Sequence, residues 1–133
     1  MIDSGAPIKL FTLDEVNALL PRVAELIGLM QGAKKRIMGL QARVDIEELT
    51  SSHSGRDQVR ELLAQLRAET LVFRRAAKTL QDLGCELKDL ERGLVDFYSM
   101  RGNEVVYLCW MLGELRVTWW HRLDAGVAGR RPL

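Results

Sequence analysis

A single histidine, His121, falls in the last third of the chain among carboxylates that a folded strand or turn can bring to it. These are Glu114 and Asp124 close by in the sequence and Asp96 further upstream. The same stretch reads GLVDFYSMRGNEVVYLCWMLGELRVTWWHRLDAGVAGRRPL and holds all three tryptophans, both tyrosines and one of the two cysteines. Apolar walls with a few convergent polar groups are what a binding site needs. A neutral imidazole from His121, with carboxylates from Glu114, Asp96 and the more distant Glu69, suits a divalent transition metal. Iron, zinc or manganese fits such a nitrogen and oxygen set, whereas calcium takes oxygen donors. An open position on the ion would also serve hydrolysis or redox chemistry. No ExxH, HExxH or CxxC spacing accompanies these residues, and no catalytic motif is complete. Glu114 and His121 lie an odd number of residues apart, so they converge only if a turn or bulge re-aims one. The plainer alternative is a hydrogen-bonded core histidine.

Two long helices must come before this region. Thr12-Leu-Asp-Glu15 is a capping box, in which the threonine hydroxyl and the glutamate carboxylate each accept the other residue's backbone N–H. Val16, Val23, Met30, Ile37 and Val44 then repeat by seven, with Leu19, Leu26, Ala33 and Leu40 between them, an apolar seam of coiled-coil type. Pro21 should bend or weaken the first turns, and Gly28, Gly32 and Gly39 lower intrinsic helicity. The pattern stops at the polar turn Thr50-Ser-Ser-His-Ser-Gly55 and restarts after Asp57, a plausible N-cap. Val59, Leu66, Phe73 and Leu80 repeat by seven, as do Leu62, Glu69, Ala76 and Leu83, and Gly84 ends the run as a C′ residue. Helices over 12–49 and 57–83 joined by a short turn form an antiparallel hairpin. A hairpin that long leaves apolar surface over, which predicts a homodimer completing a four-helix bundle, or heavy cover from the C-terminal part. Glu69 stands at a seam position, where a buried carboxylate needs a partner. It reads as a metal ligand or as one half of an ion pair with a basic residue of the other helix.

After Gly84 the period changes to two. Leu94–Tyr98, Glu104–Trp110 and Leu115–His121 are rich in Val, Tyr, Trp and Phe, with turns at Arg101-Gly102-Asn103 and Leu112-Gly113-Glu114. They predict a three-stranded antiparallel meander within 93–121, with His121 on the apolar side of the third strand beside Leu115, Val117 and Trp119. Residues 122–133 read as a loop, its Gly126, Gly129, Arg130 and Arg131 either cradling an anion or solvated. The whole is a single mostly helical α+β domain spanning 1–133.

Bulk composition narrows the function classes. The 133 residues are 47% apolar and 28% charged, with 19 Lys+Arg against 18 Asp+Glu, so no net field points to nucleic acid or an anionic membrane. Arg74, Arg75, Arg130 and Arg131 with Trp119 and Trp120 leave nucleic-acid stacking as a minor alternative. No apolar run approaches the ~20 residues of a membrane span, and MIDSGAPIKL lacks the marks of a signal peptide. Cys85 and Cys109 make no disulfide framework, which favours a reducing cytoplasm and two small buried thiols.

The segments FTLDEVNALLP (Phe11–Pro21), LGCELKD, RGLVDF, YLCWMLGE and WHRLDAGVAGRRPL together resemble an uncharacterised prokaryotic family, a domain of unknown function. Its members read FTLEEANALLP, LGVEVKD, GLVDFP, VYLCWRLGE and WHxxxxGFAGRxPL. The likeness covers nearly the whole chain. Cys85 and Leu87 replace valines of that pattern, Tyr98 its proline, Met111 its arginine and Val127 an aromatic. The resemblance brings no activity. It implies that Asp96, Trp110, Glu114, His121, Gly126, Gly129 and Arg130 belong to a shared pattern, which favours a site. Two functions are therefore expected in competition. One is transition-metal binding through His121, Glu114, Asp96 and Glu69 at the sheet–helix junction. The other is a non-enzymatic dimeric helical scaffold presenting a surface to a protein partner.

Overall fold

Thr12 and Glu15 form the expected reciprocal cap. The Thr12 N–H donates to Glu15 Oε1 at 2.8 Å and the Glu15 N–H donates to Thr12 Oγ1 at 3.1 Å. In the computed structural model, which describes residues 8–50 and 55–133, this cap opens helix α1, Leu13–Thr50. Helix α2 follows as Gly55–Asp82, with Asp57 in its first turn, and the two helices pack against each other as a hairpin. The two termini and apolar runs thus match the sequence expectation closely. The polar turn between them, at 51–54, lies outside the described residues, as does the N-terminal stretch read for a signal peptide. No helix among the described residues is long and apolar enough to cross a membrane.

Contacts divide the chain into two units, one of residues up to Glu25 with Leu80–Leu133, the other Leu26–Thr79. In the helical unit, Leu26, Ile27, Met30, Ala33 and Val44 of α1 and Leu62 and Ala76 of α2 are buried. Four of these α1 residues and both of the α2 residues are positions of the predicted seam. Glu69 stands there too, and the Arg36 guanidinium of the opposite helix donates to it at 2.9 Å, Nε to Oε2. The ion pair answers the need for a partner at a half-buried carboxylate.

The first unit is organised by a five-stranded antiparallel sheet whose spatial order equals its chain order. The strands are β1 Glu86–Asp89, β2 Leu94–Arg101, β3 Glu104–Met111, β4 Trp119–Arg122 and β5 Arg131–Pro132. The sheet exceeds the predicted meander by two edge strands. β1 carries a short alternation, Glu-Leu-Lys-Asp, that is too brief to stand out by period. β5 is a two-residue pairing of Trp119 with Pro132 and Trp120 with Arg131, invisible to any periodicity. The third predicted strand is also shorter than expected. Leu115 is 95% exposed and residues 115–118 lie outside the sheet, so only its second half pairs with β3. The terminal segment is ordered into a 3-10 turn, Val127–Gly129, and β5, instead of a solvated tail.

Strand alternation splits the sheet into two faces. Val95, Phe97, Val106, Leu108 and Trp120 share one, and the start of the chain docks there. Phe11 meets Phe97 edge-on at 5.4 Å, its N–H donates to the Tyr98 carbonyl, and its own carbonyl accepts from the Ser99 hydroxyl at 2.6 Å. Asn17 of α1 then accepts the Val117 N–H at 2.9 Å. Gly84 lets the chain leave α2 at φ +99°, and a Cβ there would stand 3.2 Å from both Lys9 and Phe11. The other face carries the polar residues described below. Because Thr12 and Glu15 each satisfy an otherwise orphaned donor at the helix start, Thr12→Ala is expected to lower stability by about 1 kcal/mol. Urea denaturation checks this.

Candidate metal centre on the outer sheet face

Register places three potential ligands side by side. Asp96 on β2 pairs with Cys109 on β3, and Tyr107, two residues before Cys109, pairs with His121 on β4. All therefore project from one face. Asp96 is 2% exposed, His121 3% and Cys109 fully buried. The His121 Nε2 lies 3.0 Å from Asp96 Oδ2, and its Nδ1 lies 2.8 Å from the Arg122 carbonyl oxygen. A carbonyl only accepts, so Nδ1 must carry a hydrogen and donate it. In the neutral ring Nε2 is then a bare lone pair aimed at a carboxylate oxygen. Two acceptors at that distance require a cation between them, either a proton or a metal ion. Asp96 Oδ1, also buried, has no hydrogen-bond partner among the described residues. One donor atom from each of Asp96, Cys109 and His121 lies within 4.8 Å of the other two. Burial, and then the Asp96 carboxylate beside it, push the Cys109 thiol up to about 12. It is therefore no thiolate nucleophile at neutral pH in the absence of a cation.

A second polar group adjoins this one. The Tyr107 ring lies against the His121 imidazole, tilted by 50° with centroids 5.2 Å apart. Its hydroxyl donates to Glu86 Oε2 at 3.1 Å, and the Tyr98 hydroxyl donates to Glu86 Oε1 at 2.5 Å. Lys88 pairs with the same carboxylate at 2.8 Å and lies over the Tyr107 ring at 4.6 Å. Partial burial pushes the Glu86 carboxyl up, but Lys88 and the two phenols outweigh it and hold the group below its ordinary range. Donating to that carboxylate, Tyr98 is pushed well above a normal phenol.

Of the residues expected to form the site, the structure brings Asp96 and His121 together and holds the two glutamates elsewhere. Glu114 sits in the turn after β3, where its Oε1 accepts the Met111 N–H at 2.7 Å. Arg130 grips both of its oxygens at 2.9 and 3.0 Å, and its carbonyl accepts the Trp110 indole N–H. The odd spacing from His121 is not overcome by a bulge, because Glu114 lies beyond the strand. Glu69 belongs to the helical unit, paired with Arg36. Cys109, Glu86, Lys88, Tyr98 and Tyr107 were not foreseen as members of the cluster. The period-two pattern held the signal for most of them, since Asp96 with Tyr98 and Tyr107 with Cys109 are each two apart on one strand.

The class that results is a helical hairpin joined to a five-stranded antiparallel sheet with a buried His/Asp/Cys cluster. The chain belongs to the family described as Uncharacterized conserved protein (DUF2203), whose model matches residues 9–133. No curated protein and no solved structure matches it.

Since Tyr98 is held neutral chiefly by its bond to Glu86, Glu86→Gln is expected to bring its ionisation down toward the ordinary 10.0. An ultraviolet phenolate titration of the native protein reads this. In the parent, both tyrosines should resist ionisation beyond the normal range, Tyr98 the more strongly.

Proposed function

We propose that the protein binds one divalent transition metal, zinc before iron or manganese, through Asp96, Cys109 and His121. The observation that carries this reading is the placement of His121 Nε2, 3.0 Å from Asp96 Oδ2, with the ring oriented through Nδ1 by the Arg122 carbonyl. The backbone bond is the outer-shell support that metal-bound histidines use. The donor set balances charge as well as geometry. One carboxylate, one thiolate and one neutral imidazole carry two negative charges, which cancel those of a divalent ion in a site that water does not reach. Ligand bonds of about 2.0–2.3 Å place tetrahedral donors some 3.3–3.7 Å apart, so the pairs here need shifts of a few tenths of an ångström to about one ångström. The unpartnered Asp96 Oδ1 supplies a further oxygen, either as a second carboxylate donor or as acceptor for a metal-bound water. Burial of all three side chains favours a closed site whose role is to tie β2, β3 and β4 together. Both cysteines are buried free thiols, which fits the expected reducing cytoplasm.

Elemental analysis of the untagged protein tests the reading. It predicts close to one zinc, iron or manganese per chain, lost in His121→Ala and Cys109→Ser, and a lower thermal midpoint after chelation. Cobalt-loaded protein should show a thiolate-to-metal absorption band that Cys109→Ser abolishes. Protein that stays metal-free after incubation with all three ions, while keeping its helical signal, would mean that a proton bridges Asp96 and His121 instead.

A homodimeric scaffold is the second reading, favoured by apolar side chains left exposed on the helical unit. Met38 is 64% exposed, Ile46 59%, Leu49 87% and Leu71 47%. Light scattering should then give twice the chain mass, reverting to the single mass in Met38→Glu/Leu71→Glu.

A further inference from the structure

The face of the sheet opposite Asp96 carries a cavity of about 420 Å³ that neither the metal centre nor the scaffold reading uses. Its size falls within the range of small-molecule sites. Phe11, Val106, Leu108 and Trp120 form part of its walls. Its rim is apolar as well. Leu10 is 46% exposed, Leu13 41% and Leu133 49%, and all three line the same concavity. Large apolar side chains exposed singly need no explanation, but a ring of them around one cavity marks a binding surface.

The polar groups at the cavity select the ligand. The Thr12 hydroxyl is already committed to the Glu15 N–H, and the Ser99 hydroxyl to the Phe11 carbonyl. What remains is the Arg101 guanidinium, which lines the cavity and stacks over the Trp120 ring at 4.3 Å. Arg131, next to Trp120 across the β4–β5 pairing, lies 5.5 Å from the same ring. Neither arginine has a carboxylate partner among the described residues, whereas Arg36, Arg92, Arg122 and Arg130 each have one. A guanidinium parked on an aromatic face keeps its planar fork of donors for a carboxylate.

We infer that this cavity binds a small amphipathic carboxylate, its aliphatic body among Phe11, Leu108 and Trp120 and its head on Arg101 and Arg131. The apolar body contributes most of the affinity by leaving water, and the arginines fix orientation and exclude uncharged analogues.

Titration calorimetry with decanoate, below its micellar range, tests the site in the full chain. One saturable site per chain is expected, with decanol at least tenfold weaker. Arg101→Ala should weaken decanoate about tenfold, the loss of one charge-assisted hydrogen bond. Leu13→Asp puts a carboxylate on the rim at an exposed first position of α1, where an acid suits the helix dipole, and should abolish binding with circular dichroism unchanged. Absence of saturable decanoate binding, equal affinity for decanol, or binding indifferent to both substitutions would overturn the proposal. So would retention on phosphatidylglycerol vesicles with no binding of free decanoate, which would make the patch a membrane surface.

Discussion

Asp96 stands in the middle strand region of a sheet at 2% exposure, where a bare carboxylate costs several kcal/mol unless a cation or a donor meets it. The sheet is built to meet that need from its own pairing. Antiparallel register sets Cys109 directly across from Asp96 and carries His121 in from the next strand, with the tilted Tyr107 ring beside it. Arg122 contributes only its backbone carbonyl, yet that carbonyl decides which imidazole nitrogen is free. Remove His121 and the face becomes a buried charge without an answer. The opposite face has no such constraint and is filled with Val95, Phe97, Leu108 and Trp120, against which the chain's own start docks.

The remaining buried or half-buried carboxylates show the other way of meeting the same requirement. Glu114 and Glu69 each meet an arginine at 2.9 Å, a fixed positive charge beside each carboxylate. Glu86 is intermediate, sharing one lysine and two phenols at a partly exposed edge. Acidic residues thus divide by partner: arginine makes a latch, tyrosine and lysine make a surface network, and histidine with cysteine makes a buried cluster.

Helices were legible because their signals are long and redundant. Seven-residue repeats ran through both, and the Thr12–Glu15 box and Gly84 marked their outer ends to within a residue or two. Strands β2 and β3 announced themselves by alternation and by the Arg101-Gly102-Asn103 turn. β1 and β5 did not, since a pairing of two to four residues is decided by its neighbour and leaves no period in the sequence. The site was half legible for a related reason. His121 and Asp96 were singled out by residue type, but their partners depend on register across strands, which one strand's sequence does not state. Glu114 looked equivalent to Asp96 as a carboxylate. Only the position of Arg130, arriving from the far end of the chain, separates Glu114 from the cluster that holds Asp96.

Synthesis order gives the contacts at the start of the chain a further meaning. Phe11 and Asn17 find their partners 88 and 100 residues later, at Ser99 and Val117. At about 5–20 residues per second on the ribosome, the start of the chain waits several seconds for these partners. The sheet itself assembles from neighbours in chain order, with short loops to close. On a nascent chain the first segment can therefore close its contacts only after the strands that hold Ser99 and the segment that holds Val117 have emerged.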